Sequence, residues 1–197
     1  MTKEPIRLAV IVGSVREGRL GPTVAEWFAD RARRHEGLDV DVIDLAEIPL
    51  PMVMPRSGTA PAAEVARDLG ILTSRLARAD AFVIVTPEYN HSFPASLKNA
   101  IDWHDRQWHA KPVGFISYGG ISGGLRAVEQ LRLVFAELHA VTIRDTVSFH
   151  GAWKHFDDKG APVNPQDCDG AAKVLLDQLT WWARTLREGR AARPYIT

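Results

Sequence analysis

The chain has 197 residues, 46% of them hydrophobic and 24% charged, which is ordinary for one globular domain with a sizeable core. Lys plus Arg equals Asp plus Glu at 24 each, so the formal charge is zero and nothing argues for the clustered basic surface of a nucleic-acid binder. The single cysteine, Cys168, excludes an intramolecular disulfide and suits a reducing cytoplasm. No apolar run approaches the ~18 residues needed to span a bilayer, and no signal-like segment follows the first charges. The expectation is a soluble cytoplasmic protein forming one domain over residues 1–197.

Strand and helix patterns alternate along the chain. Ile6 to Val12 is apolar and β-branched, and Gly13-Ser14 ends it. From Pro22 the spacing turns helical, with Val24, Trp27, Phe28 and Ala32 on one stripe. Leu38 to Leu45 alternates as a strand with one better-covered face. The segment 46–63 holds Pro49, Pro51, Pro55 and Pro61 among Met52, Val53 and Met54, an irregular stretch of functional length. Glu64 to Ala79 is helical through Val65, Leu69, Leu72 and Leu76.

Asp80 to Thr86 is a nearly continuous apolar run, as expected of a strand buried on both faces. Pro94 to Trp103 forms the next helix and Pro112 to Ser117 the next strand. Leu125, Val128, Leu131, Phe135 and Leu138 mark a fourth helix, and Val141 to Phe149 a fifth strand. After an irregular 150–166 stretch, Leu175, Leu179, Trp182 and Leu186 give the last helix its seam. Such alternation predicts an α/β fold with five parallel strands and helices on both faces, for which the order taken is 2-1-3-4-5.

Three loops at the carboxyl ends of strands carry the chemistry. The first, GSVREGRLGPTVAEW at 13–27, matches neither the dinucleotide fingerprint nor the P-loop. It offers the Ser14 hydroxyl, the guanidinium groups of Arg16 and Arg19, and a helix opening at Gly21-Pro22-Thr23-Val24. Pro22 suits the first helical position, and the free N–H groups and dipole there favour a phosphate monoester. The second loop is Pro87-Glu88-Tyr89-Asn90, which lacks a general base, thiol or metal-ligand set. Its backbone donors and flat aromatic suit a planar, polar-edged ring, and a flavin answers that description. Strands one and three flank the switch point of a 2-1-3-4-5 sheet, so both loops belong to one site. The third, SYGGISGGLR at 117–126, has glycines that admit close approach of a ligand, with Ser117 and Tyr118 placed to line the pyrimidine side of the ring.

No histidine pair has zinc-site spacing, so no metal is expected. Cys168 lies between Asp167 and Asp169 and makes a poor nucleophile.

GSVREGRLGPTVAEW, PEYNHSFPASLKNAIDW and the glycine-rich loop together resemble the NADPH-dependent FMN reductase family, from Ile6 to about Leu138. The resemblance implies a flavodoxin-like fold and a non-covalent FMN. Its phosphate would lie against Ser14, Arg16 and Gly21–Val24, and its ring against Pro87, Glu88, Tyr89 and Asn90, with Gly119 and Gly120 nearby. It further implies NADPH as donor, a quinone, flavin, azo or metal-ion acceptor, and a homodimer or homotetramer with the flavin near an interface. The activity expected is ping-pong transfer of hydride through FMN, with no protein acid or base assigned. A flavodoxin-type electron carrier, or a flavin-free binding module on the same fold, are the alternatives.

Overall fold

The computed structural model describes residues 4–56 and 58–196; Ser57 of the proline-bearing segment and the chain ends lie outside the described residues. Five strands, β1 (Ile6–Val12), β2 (Leu38–Asp44), β3 (Ala81–Pro87), β4 (Pro112–Gly119) and β5 (Val141–His150), pair in parallel in the order β2-β1-β3-β4-β5. The helices are α1 (Gly21–Arg34), α2 (Ala63–Arg78), α3 (Ala95–Asp102), α4 (Leu125–Glu137) and α5 (Pro165–Ala192). This is the expected flavodoxin-like order.

Two apolar layers hold the helices to the sheet. On one face Val24, Phe28, Leu175 and Leu179, from α1 and α5, pack on Val10, Val83 and Val85. On the other, Leu72, Leu76, Leu97, Ile101, Leu131 and Phe135, from α2, α3 and α4, meet Ile11, Phe82 and Ile84. Successive residues of β3 thus feed opposite layers, which is why its sequence shows no alternation. Strand β2 lies at the edge of the sheet, where only Ile43 is fully covered.

Most boundaries shift by one or two residues from those read in the sequence, and two of the differences have a clear physical cause. Helix α1 begins at Gly21, which puts Pro22 in the second helical position. A Cβ on Gly21 would stand 2.9 Å from both Tyr118 Oη and Val12 Cγ1, so the helix starts at the one residue that can lie against the sheet there. Helix α5 begins at Pro165, well before the Leu175–Leu186 seam. Its first turns bury Cys168 and Ala172, small side chains whose contribution to a helical stripe is weak in the sequence. The excursion before α5 is closed by Asp157 Oδ1, which accepts from Lys159 N and Ala161 N at 2.9 Å each.

The tryptophans divide. Trp108 is buried, its ring centroid 4.7 Å from that of Phe82 and 5.4 Å from that of Phe135. Trp27 packs edge-on against Phe149 at 5.4 Å. Trp153 and Trp181 are exposed.

Candidate functional site

The β1–α1 loop leaves the centre of the sheet at Gly13, whose N–H donates to Val85 O at 2.9 Å. Ser96 Oγ, at the start of α3, donates to Gly13 O at 2.7 Å. Ser14 is buried, and its hydroxyl is 2.7 Å from the Tyr89 hydroxyl, with which it shares a hydrogen bond. That bond ties the first loop to the second and makes them walls of one site.

The two arginines of the first loop part company. Arg19 forms a fork on Asp44 at the end of β2, with Nη1–Oδ1 at 2.6 Å and Nη2–Oδ2 at 2.7 Å, and Nη1 also donates to Ser14 O at 2.6 Å. The bond to Asp44 holds the guanidinium above its ordinary pKa, against the lowering effect of burial. Arg19 is therefore a clamp between β2 and the loop, and its fork is spent on protein atoms. Arg16 is exposed, and its guanidinium has no partner among the described residues.

Helix α1 starts without a side-chain cap at Leu20 and without an acid in its first turn. Val24 N–H already donates to Leu20 O at 3.1 Å and the Val24 side chain is buried, so this residue offers nothing to an anion. The N–H groups of Gly21 and Thr23 have no acceptor among the described residues, and Pro22 has no N–H to satisfy. Thr23 is half-buried, its methyl group beside Gly160. Gly18 has φ +64° and open space where a Cβ would be. Free donors, an unpaired cation and room above the loop make an anion cradle.

The second loop is a tight hairpin-like turn. Tyr89 N–H donates to Ser92 O at 2.8 Å and Ser92 N–H to Tyr89 O at 3.0 Å, with Asn90 and His91 both at positive φ, 50° and 69°. Two consecutive left-handed residues are what a type I′ turn requires. Gln130 of α4 braces it, donating from Nε2 to His91 O at 2.7 Å and accepting from Ser92 Oγ at 2.5 Å. Glu88 N–H is taken by Tyr118 O at 3.2 Å. The donors left at the tip are the N–H groups of Asn90 and His91. Pro87 is buried as the last residue of β3, beside Tyr118.

Glu88 does not face the open side of the turn. Its carboxylate accepts from Arg126 N at 3.1 Å and Arg126 Nη1 at 2.9 Å, at the start of α4. Burial pushes the carboxyl up, but bonds from Ser122 and Arg126 outweigh it and leave the pKa below its ordinary value. Its part is to anchor the turn to the third loop.

The third loop is tied back onto β4. Ser117 is fully buried and its Oγ donates to Gly123 O at 2.8 Å. Tyr118 is buried against Gly21, its hydroxyl without a hydrogen-bond partner among the described residues, and burial followed by the nearby Tyr89 raises its pKa well above the ordinary phenol value. Both side chains are buried. Gly119 and Gly120 remain accessible, with Trp153 the nearest group to Gly120. From β5, Ser148 Oγ also donates to Gly123 O at 2.9 Å.

Asp44, Ser96, Arg126 and Gln130 thus shape the site without having been singled out from the sequence. Asp44 alone left a usable signal, a carboxylate at the end of the strand beside β1. A narrow apolar cleft of about 280 Å³ borders the first loop, lined by Val15, Leu45, Ile48, Met52 and Ala100. No group of three or more His, Cys, Asp or Glu is placed to hold a metal among the described residues. No described helix is long and apolar enough to cross a membrane.

The sequence profile of the NADPH-dependent FMN reductase family matches residues 6–154, a span that contains all three loops. The chain belongs to this family. It is 41% identical over 123 residues to a NAD(P)H-dependent FMN reductase of Schizosaccharomyces pombe, a match covering 60% of each chain. It is 33% identical over 181 residues to a probable NADPH:quinone oxidoreductase of Oryza sativa, covering 87% of this chain and 89% of that one. Among solved structures, the flavoenzyme NAD(P)H:(acceptor) oxidoreductase FerB of Paracoccus denitrificans superposes with a TM-score of 0.71, at 24% identity over 89% of this chain and 98% of that one. The latter likeness supports the fold. The chain is therefore an oxidoreductase of the NADPH-dependent FMN reductase family.

Proposed function

We propose that this reductase passes hydride from NADPH through a non-covalent FMN to a quinone-like small-molecule acceptor, as one cytoplasmic domain. The observation that carries this reading is the Ser14–Tyr89 bond, which joins an anion cradle to a ring-sized turn at the switch point of the sheet. The residues fit the cofactor. Arg16 and the free N–H groups of Gly21 and Thr23 suit its phosphate, and the Asn90 and His91 N–H groups, the Tyr89 ring and Gly119–Gly120 suit the flavin. Arg19, Val24, Glu88, Ser117 and Tyr118 hold those groups in place and make no direct contact in this reading.

FMN, when bound, supplies the two-electron chemistry, and the chain supplies position and electrostatics. No acid or base is assigned, since Glu88 is committed to Arg126 and Tyr118 is buried against Gly21. The nicotinamide and the acceptor use the same open side of the cleft in turn. Double-reciprocal plots with a quinone are then expected to be parallel. Addition of NADPH to the purified yellow protein under anaerobic conditions bleaches it without any acceptor. Intersecting lines across several acceptors would replace this reading with a ternary complex, and a yellow protein that NADPH leaves unbleached would replace it with an electron carrier.

The site is also open toward an apolar surface. Val15, Met52, Val53 and Met54 are exposed beside the cleft, and Trp103 Nε1 donates to Pro51 O at 3.0 Å, holding this segment against the end of α3. A contiguous apolar patch next to a site is an interface signature, and we assign it to a second copy of the chain. Trp108, in the core, takes no part. Light scattering of the FMN-loaded protein at low concentration should report a dimer or larger assembly, and a fully active monomer would overturn the assignment.

A further inference from the structure

At the opposite end of the sheet, where β4 begins, a cleft of about 520 Å³ is lined by Arg106, Gln107, His109, Lys111, Arg190 and Tyr195 among others. Its floor is an unusual residue for a core, the lysine Lys111, which is only 7% exposed. Lys111 Nζ donates to Leu76 O at 2.9 Å and to Ala77 O at 3.1 Å, the last turn of α2, and lies 5.4 Å from the centroid of the Phe82 ring. Its partners are uncharged, so the ammonium is satisfied in hydrogen bonds but not neutralised. A buried cation without a counter-charge is costly.

The nearest carboxylate is already shared. Asp80 accepts from Arg187 Nη1 at 3.3 Å and from Arg7 N at 3.1 Å, and lies 3.6 Å from Arg190 Nη2. Arg190 Nη1 donates to Ala110 O. Burial first, and then the neighbouring Arg190, lower the Lys111 pKa to about 8, and burial lowers that of Arg190 as well. Arg106 adds a third cation at the rim, exposed and without a partner among the described residues. Three cations line this cleft, with Asp80 shared behind them and Asp105 paired with His109 at 3.0 Å, so positive charge prevails there. The ring of His109, beside Tyr195 at 6.1 Å between centroids, gives it an aromatic wall.

We propose that this cleft binds a small phosphate-bearing polyanion, at a site separate from the FMN cradle. The unpaired Arg106 guanidinium is the direct donor for phosphate oxygens, and Arg190 and Lys111, whose own bonds go to protein atoms, add positive charge behind it, so more than one negative charge is needed for balance. The cradle opens from the carboxyl ends of the strands, whereas this cleft sits at the amino end of β4, so the two can be occupied together.

The test uses the FMN-loaded full chain titrated calorimetrically with pyrophosphate, against sodium chloride at equal ionic strength. Expected is binding of one pyrophosphate per chain that chloride does not mimic, weakened at least about 10-fold in Arg106→Ala, the loss of one charge-assisted contact. Arg106 is exposed, so this variant folds as the parent does; Lys111→Met should abolish binding if it folds. Absence of pyrophosphate-specific heat would overturn the proposal, as would binding that Arg106→Ala leaves unchanged. Binding that Arg16→Ala removes and Arg106→Ala does not would place the anion in the FMN cradle and would also overturn it.

Discussion

Replacing Gly124 with alanine is expected to cost about 2–5 kcal/mol of stability and to strip the protein of flavin. Gly124 caps α4 with φ +86°, where an L side chain is strained. An added Cβ would lie 2.6 Å from Ser117 Cβ and 2.9 Å from the backbone nitrogen of Tyr118. Neither can yield, because β4 is hydrogen-bonded on both sides, to β3 and to β5. Relief must come from the loop, which would lift Gly119 and Gly120 and break the bond from Ser117 to Gly123. Gly18→Ala provides the comparison. Its φ is +64°, but nothing lies within 4 Å of the new methyl group, so only the backbone strain of about 1 kcal/mol is expected. Urea denaturation and flavin retention through dialysis read both. An equal loss in the two variants would show that strain alone, and not the contact with β4, sets the requirement for glycine at 124.

The second large effect separates the two arginines of the first loop. Arg19→Ala leaves the largely buried Asp44 carboxylate without its fork and Ser14 O without its donor, an expected loss of about 2–3 kcal/mol in stability. Flavin binding should fall with it, since Ser14 and its bond to Tyr89 lose their support. Arg16→Ala is expected to leave stability within about 0.5 kcal/mol, because an exposed side chain without partners contributes little to the fold. Its effect should appear in FMN affinity, a rise in Kd of about 10- to 100-fold for one lost charge-assisted bond to phosphate. Denaturation curves and FMN titrations of both variants distinguish the roles. If Arg16→Ala binds FMN as tightly as the parent, the phosphate is held by backbone N–H groups alone.

Hydrophobic pattern was enough to read five parallel strands alternating with helices. Strand β3 carries no polar residue between Ala81 and Val85, which requires cover on both faces and puts it at the centre of a parallel sheet. Once β1 and β3 are neighbours, the loops that follow them must meet, whatever the details of packing. Local chemistry also singled out the turn at Tyr89–Asn90, which backbone geometry sets, and Arg16, whose charge has no partner among the described residues.

The tertiary structure decided which polar groups are free. Arg16 and Arg19 are chemically alike in the sequence. Only the approach of Asp44 from β2, 25 residues away, spends one of them. Glu88 sits in the most telling motif of the chain, yet Arg126, 38 residues on, takes its carboxylate. Ser117 and Tyr118 follow the alternation of β4, which turns them inward onto Gly123 and Gly21. The same holds for Lys111, ordinary in the sequence and made unusual by burial under the end of α2. A residue's type and its neighbours in sequence determine what it can bond, but partners distant in the chain determine what remains unbonded, and a ligand is held by what remains.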